Sequence, residues 1–393
     1  MQPNNKSIRK ENRVKTYFTG AKLLTPHQIL VDSTLIIEDE KIIGITREPI
    51  KPDADAKVVD VSGKYVAPGF VDIHFHGAMG FSTMDATQEA IHTISKFVVK
   101  YGVTSFLPTT WSATPELTFS CIENVANTPQ TEDGARHLGV HVEGPYLSLE
   151  HRGAQLPQLI RKPDVDEYRK WFETGVIKLV TFAPENQGAK QLVKEGLENG
   201  VEFSIGHSGA TYEQVVEAAN MGVRQATHIF NGMMGLHHRR PGTVGGVLVE
   251  DRIYAQLICD GIHIHPVVVK MLIRAKGTSR VILITDAIRG AGLDDGDYDF
   301  AGQKIIVRDG IARTPEGGLS GSTLTMDRAV RNVMAFTSLP IQEVLPMATS
   351  VPAEAMGWQD KKGSLKPGAD ADLIIMDKDF NVLRTMVAGR FVN

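Results

Sequence analysis

Five short apolar runs in this chain each end on a metal-ligand type of side chain just before a loop. They are Asp72-Ile73-His74-Phe75-His76-Gly77, His141-Val142-Glu143-Gly144-Pro145, Gly206-His207-Ser208, Thr227-His228-Ile229-Phe230-Asn231 and Ile284-Thr285-Asp286-Ala287. Imidazoles and carboxylates so placed can hold one or two divalent ions and leave a position open for water, which points to metal-assisted hydrolysis. Donors scattered from position 74 to position 286 meet only in a fold whose strand ends converge. That requirement narrows the architecture more than any feature of composition.

The spacing between the runs predicts the rest. Strand-like stretches at Ala67–His74, Ser105–Thr109, Leu138–Glu143, Lys178–Ala183, Glu202–His207, Gln225–Phe230, Tyr254–Asp260 and Val281–Asp286 alternate with amphipathic helical stretches. The helical stretches include Thr87–Tyr101, Pro115–Ala126, Asp164–Thr174, Ala189–Asn199, Tyr212–Met221 and Pro266–Lys276. Eight strands with helices between them predict an α/β fold, a (β/α)8 TIM-type barrel over 67–362 with catalytic loops at the C-terminal strand ends. An open doubly wound sheet is the competitor, but its site would cluster at one crevice. Lys15–Ser62 reads instead as short alternating strands, and the tail returns to that character at Ala371–Asp377 and Thr385–Val392. Segments 15–66 and 363–393 are therefore expected to pair into a small β-sandwich domain. Lys304–Thr314 reads as a hairpin around Asp309-Gly310, with helices at Met326–Thr337 and Ile341–Ser350. Residues 1–14, polar and basic without an apolar core, are expected to be a disordered tail rather than a secretory signal.

Composition removes several classes of function. A net charge of −4 gives no electrostatic case for nucleic acid or an anionic membrane, so neither partner is expected. No apolar run approaches the ~18–20 residues that a bilayer demands. The two cysteines, Cys121 and Cys259, cannot form a disulfide framework and read as buried thiols in a reducing cytoplasm. No Gly-x-Ser-x-Gly elbow supports a serine nucleophile.

His74 and His76 are two apart, so on a strand they face the same side. Alone a His-x-His pair is weak evidence; the other four segments make it a ligand pair. Glu143 ends its strand at Gly144-Pro145, and its two oxygens can bridge two cations, which one imidazole nitrogen cannot. His207 and His228 complete a set suited to zinc or iron, with cobalt and manganese also compatible. His141 stays open between ligand, support and substrate contact. Asp286 closes the eighth strand, where a carboxylate can take a proton from an activated water and pass it to a leaving group. Past the sixth strand, Asn231, His237, His238, Arg239 and Arg240 precede a Pro241-Gly242 turn. Adjacent arginines and histidines on a loop suit a phosphate or carboxylate. His263 follows the seventh strand, and Gly318-Leu319-Ser320-Gly321-Ser322 could offer backbone N–H groups to an anion.

These motifs, in this order, resemble the amidohydrolase superfamily, and within it the branch that deacetylates amino-sugar 6-phosphates. The likeness runs from Pro68-Gly69-Phe70-Val71-Asp72-Ile73-His74 to Gly363-Ser364-Leu365-Lys366-Pro367-Gly368-Ala369-Asp370-Ala371-Asp372-Leu373. It includes His237-His238-Arg239-Arg240-Pro241-Gly242, Asp260-Gly261-Ile262-His263 and Gly321-Ser322-Thr323-Leu324-Thr325-Met326. The resemblance implies hydrolysis of the acetamido group of N-acetyl-D-glucosamine 6-phosphate to D-glucosamine 6-phosphate and acetate. It implies Glu143, His207 and His228 on one metal, His74 and His76 supporting a second, and Asp286 as general base and acid. Gln155, Asn231, Gly232, Arg239 and His263 would bind substrate, with Arg239 reaching into the partner's site of a cytoplasmic homodimer. The alternatives are the epimeric N-acetylgalactosamine 6-phosphate, another amide or cyclic amide, and a non-catalytic assembly protein, which the full ligand set disfavours.

Two departures from the superfamily pattern stand out. Many members carry alanine where this chain has Gly232, and a histidine that polarises the acetyl carbonyl where it has Gln155. Glutamine can still donate a neutral hydrogen bond but cannot carry charge. The intact His74/His76 pair is expected to admit a second cation that takes over this polarisation.

Overall fold

A computed structural model of the protein describes residues 14–26, 28–300 and 302–392. Of the expected tail, only Val14 lies among them. The eight strands that matter here are β1 (Phe70–Phe75), β2 (Val103–Pro108), β3 (Val140–Glu143), β4 (Ile177–Phe182), β5 (Glu202–Ile205), β6 (Gln225–Ala226), β7 (Tyr254–Ile258) and β8 (Val281–Ile284). β1 pairs in parallel with β2, and β3 to β8 form one parallel ladder in sequence order. Single parallel bridges also pair Thr109 with His141 and Phe75 with Ala287. β1, β2, β7 and β8 are buried at every position, as strands covered on both faces must be.

The stretch expected as one strand, 67–74, is two. Tyr65–Pro68 runs antiparallel to Leu373–Met376 in the terminal sheet, and the chain then turns into β1. Gly69 makes the break: its N–H donates to the Asp372 carbonyl at 2.9 Å, and a Cβ there would lie 2.2 Å from the Thr104 side chain. The terminal segments build one eight-stranded sheet from Lys15–Thr25, Gln28–Glu38, Lys41–Thr46, Lys57–Asp60, Tyr65–Pro68, Leu373–Met376, Val382–Val387 and Arg390–Phe391. It has its own core around Phe18, Leu23, Leu35, Ile37, Leu373 and Ile375. The strand expected over 385–392 is a hairpin instead, because Ala388 and Gly389 take positive φ and reverse the chain.

Helices fill the connections: α1 (Gln88–Val98), α2 (Pro115–Asn127), α3 (Val165–Glu173), α4 (Ala189–Glu198), α5 (Tyr212–Asn220), α6 (Gly242–Val249), α7 (Pro266–Lys276) and α8 (Met326–Thr337). Their starts are written in the sequence. Thr87, Thr114, Asp164 and Thr211 accept hydrogen bonds from first-turn N–H groups, and Thr211 and Gln214 form a reciprocal capping box. α6 follows the expected Pro241-Gly242 turn as a helix that was not foreseen, since Gly-Thr-Val-Gly-Gly has poor helix propensity. Packing overrides it: a Cβ at Gly246 would sit 2.8 Å from Val215 of α5, so the glycines permit close helix contact. The segment expected over Ile341–Ser350 is broken into helical pieces Ile341–Val344, Leu345–Ala348 and Ser350–Ala355. The Asp309-Gly310 turn joins Gln303–Arg308 to Ile311–Arg313 as expected, and an unforeseen strand, Gly296–Phe300, adds to the same sheet. Ile305 and Val307 of this sheet pack with Trp111 and Ile288. Among the described residues no helix is long and apolar enough to cross a membrane.

Candidate metal centre

The donor side chains leave their strands at or just beyond the C-terminal ends. His74 lies within β1 and Glu143 ends β3; His207, His228 and Asp286 each stand two residues past β5, β6 and β8. At those three the backbone has entered the left-handed region, with φ of 47°, 29° and 51°. Non-glycine residues adopt it at a cost on the order of 1 kcal/mol or more, and they do so where the surroundings dictate it, typically at functional sites. The turn throws each side chain inward across the strand ends.

Two sets of donors result. In one, His74 Nε2 and His76 Nε2 are 3.1 Å apart and lie 3.4 and 3.2 Å from Asp286 Oδ1. In the other, Glu143 Oε1 lies 3.3 Å from His207 Nε2 and 3.0 Å from His228 Nε2, and those nitrogens are 3.1 Å apart. Glu143 joins the sets: Oε1 is 3.6 Å from His74 Nε2, and Oε2 is 3.5 Å from His76 Nε2.

The arrangement fits divalent cations. Nδ1 of His76, His207 and His228 faces the backbone carbonyl of Thr109, His151 and Asn231 at 3.2, 2.9 and 3.1 Å. A proton on Nδ1 satisfies each carbonyl and leaves the Nε2 lone pair free for a metal. Lone pairs facing one another at 3.1 Å repel unless a proton or cation lies between them. Each set brings its donor atoms within 4.8 Å of one another, and every member is buried.

Burial opposes ionisation of Glu143, but the charge of His74 and the hydrogen bonds of His207 and His228 outweigh it and hold the carboxyl well below its usual range. Asp286 resists the same burial through His74 and His76, which bring it down to about 2. Burial lowers His74 to about 4 despite both carboxylates. The carboxylates are thus anions and His74 is neutral at physiological pH, as metal ligation requires, while against their burial Glu143 and Asp286 raise His76 and His228, whose Nε2 protons a cation would displace. Burial also pushes the Cys121 thiol up to about 12 and Cys259 further up, so neither is a nucleophile.

Asn231, Gly232 and His263 line one cavity with Glu143, His207, His228 and Asp286. Asp260 Oδ2, 2.7 Å from His263 Nδ1, fixes that nitrogen as donor and leaves Nε2 for the cavity. Gly232, at φ 61°, explains one departure: a Cβ would lie 2.7 Å from His207 Nδ1 and 3.0 Å from the His151 carbonyl that holds it. Two expected substrate contacts lie elsewhere. Arg239 is exposed on a tight turn closed by the His237 and Arg240 backbones, beside Thr211, Tyr212 and Met234. Gln155 is buried behind Glu143, which it hydrogen-bonds at 3.1 Å. His141 supports from below, with Nδ1 3.0 Å from the Ile73 carbonyl and Nε2 2.7 Å from Thr181 Oγ1. Leu319, Ser320 and Gly321 of the segment expected to offer backbone N–H groups also line the cavity, whereas Trp111 in its wall and Asp72 beneath it were not foreseen. The period-two rule that pairs His74 with His76 also puts Asp72 on their face.

The parallel strands and the two donor sets have the form of a hydrolase site able to hold divalent cations. Residues 65–392 match the amidohydrolase family, and the chain belongs to it. Its relatives define a narrower group. The N-acetylglucosamine-6-phosphate deacetylase of Lysinibacillus sphaericus is 41% identical over 358 residues, covering 90% of this chain and 92% of that protein. An N-acetylgalactosamine-6-phosphate deacetylase of Escherichia coli O157:H7 is 34% identical, covering 95% and 98%. Among solved structures, the N-acetylglucosamine-6-phosphate deacetylase of Pasteurella multocida superposes with a TM-score of 0.91 at 31% identity, covering 96% and 99%.

Proposed function

We propose that this chain hydrolyses the acetamido group of N-acetyl-D-glucosamine 6-phosphate to D-glucosamine 6-phosphate and acetate, using one or two divalent cations per subunit. The observation that carries the reading is Glu143, set between the His207/His228 and His74/His76/Asp286 groups at the base of a cavity that Asn231 and His263 also line. Glu143, His207 and His228 would hold one ion, and His74, His76 and Asp286 a second. Zinc or iron suits the donors best, with cobalt or manganese compatible. A divalent cation bound there would supply Lewis acidity toward the amide carbonyl and lower the pKa of water toward neutrality.

The chain's own groups do the rest. Asp286, an anion at neutral pH, takes a proton from the attacking water at a carboxylate oxygen and delivers it to the departing amine nitrogen. Asn231, Gly232 and His263 orient the sugar phosphate within the cavity. Arg239, turned away from its own subunit's cavity, is suited to bind phosphate in a homodimer partner's site. A cytoplasmic setting accords with the free cysteines. In this reading the eight parallel strands close into a (β/α)8 barrel, and the terminal strands fold over their own core as a β-sandwich domain.

Metal analysis together with acetate release from the two epimeric sugar phosphates tests the proposal. Turnover of N-acetyl-D-glucosamine 6-phosphate that depends on bound metal is the expected result. The E. coli relative favours a second reading, the galactosamine epimer, and a higher kcat/KM on that substrate would establish it.

A further inference from the structure

Where the superfamily pattern has a carbonyl-polarising histidine, this chain buries a glutamine whose amide is engaged at both ends. Gln155 is 1% exposed; it borders an adjoining cavity that shares Gly153, Ala154 and Leu319 with the catalytic one, and it does not line the catalytic cavity itself. Its Oε1 accepts the Ser112 N–H at 3.1 Å, and its Nε2 donates to Glu143 Oε2 at 3.1 Å. The Ser112 contact fixes which end of the amide faces Glu143. Anchored this way, Glu143 turns Oε1 to His207 and His228, with His74 at 3.6 Å, and Oε2 toward His76 at 3.5 Å, so the carboxylate spans both donor sets. A free glutamate side chain would lose rotamer freedom on being so fixed, and here the amide holds it already. A neutral donor also supports the carboxylate without adding positive charge beside two cations, as an imidazolium would.

We infer that Gln155 is a positioning residue that presets Glu143 as the bridge between two cation sites, rather than a substrate contact. The inference rests on the metal-dependent reading above but not on the identity of the substrate. Its test is a chelator-competition titration of the metal-free protein with Zn²⁺ or Co²⁺, without substrate, on wild type, Gln155→Met and Gln155→Asn. Methionine keeps the length and loses the donor; asparagine is too short to reach Ser112 and Glu143 together. Wild type should take up two cations, and both variants should bind the second about 10–100-fold more weakly, the usual effect of losing a group that orients a ligand. At saturating metal, kcat should recover with KM unchanged. Two outcomes overturn the assignment: a single cation in wild type, or variants that bind both cations with wild-type affinity and are impaired only in KM. Absence of acetate release with the two-cation behaviour intact would remove the substrate reading alone.

Discussion

The carboxylate of Asp72 ties the first strand to the eighth through Thr285, accepting its hydroxyl proton at Oδ2 across 2.6 Å. Oδ1 accepts the His74 backbone N–H at 3.2 Å, so one buried acid fixes the residue before Asp286 and a metal-donor backbone together. Asp72→Ala would leave these two donors, and the Thr285 N–H that reaches Oδ1 at 3.5 Å, without this acceptor in an interior with no solvent access, at ~1–3 kcal/mol for each orphaned group. Denaturant unfolding of the metal-free protein measures the loss. Asp72→Asn, which keeps an acceptor, should lose less, and equal stability of wild type and the alanine variant would show that the linkage contributes nothing.

What the sequence made legible, and what it hid, follows from range. The donors could be read because strand periodicity and loop position are local properties, and His74, Glu143, His207, His228 and Asp286 each follow an apolar run. Helix starts were legible for the same reason, through caps such as Thr114 and Asp164. The destinations of Gln155 and Arg239 were not, because they depend on how loops distant in sequence pack: residue 155 against Ser112 and Glu143, residue 239 beside Tyr212. α6 was hidden because tertiary packing on Val215 overrides the weak propensity of its glycines.

Lys276, at the end of α7, donates from its ammonium to the Glu250 carbonyl at 2.7 Å. Burial draws its pKa down from 10.5 to about 8 against the attraction of Asp251. A lysine whose pKa is lower folded than unfolded leaves the unfolded chain holding more protons between those values, so stability rises with pH in that window. The contribution is complete above 10.5 and lost as pH falls through about 8. Wild-type stability measured against Lys276→Met should therefore climb from pH 8 to pH 10. A difference that stays flat over that range would contradict the shift.

Exhaustive chelation should abolish acetate release, and added zinc, iron, cobalt or manganese should restore it. The same ions should raise the unfolding temperature, because a ligand that binds only the folded state stabilises it by ~2.7 kcal/mol at a hundred times its Kd. The close Nε2 pairs, His74 with His76 and His207 with His228, give the physical reason. Full activity in protein shown to be metal-free would rule out the mechanism.

Asp286 carries two roles in this reading, donor to the second cation beside His74 and His76 and carrier of the proton. Its positive-φ backbone aims the carboxylate at the strand ends, where it faces His74 and His76 and lines one cavity with Glu143, His207 and His228. Asp286→Asn preserves shape and removes the basic oxygen, so proton transfer fails while Glu143, His207 and His228 still hold their ion. Turnover should fall by roughly 10²–10⁴-fold, the range general acid–base groups contribute, with KM nearly unchanged. Elemental analysis should find the ion held by Glu143, His207 and His228 retained. A variant that releases acetate at close to the wild-type rate would exclude Asp286 as the proton carrier and shift that role to another cavity group, of which His263 is the candidate the geometry offers.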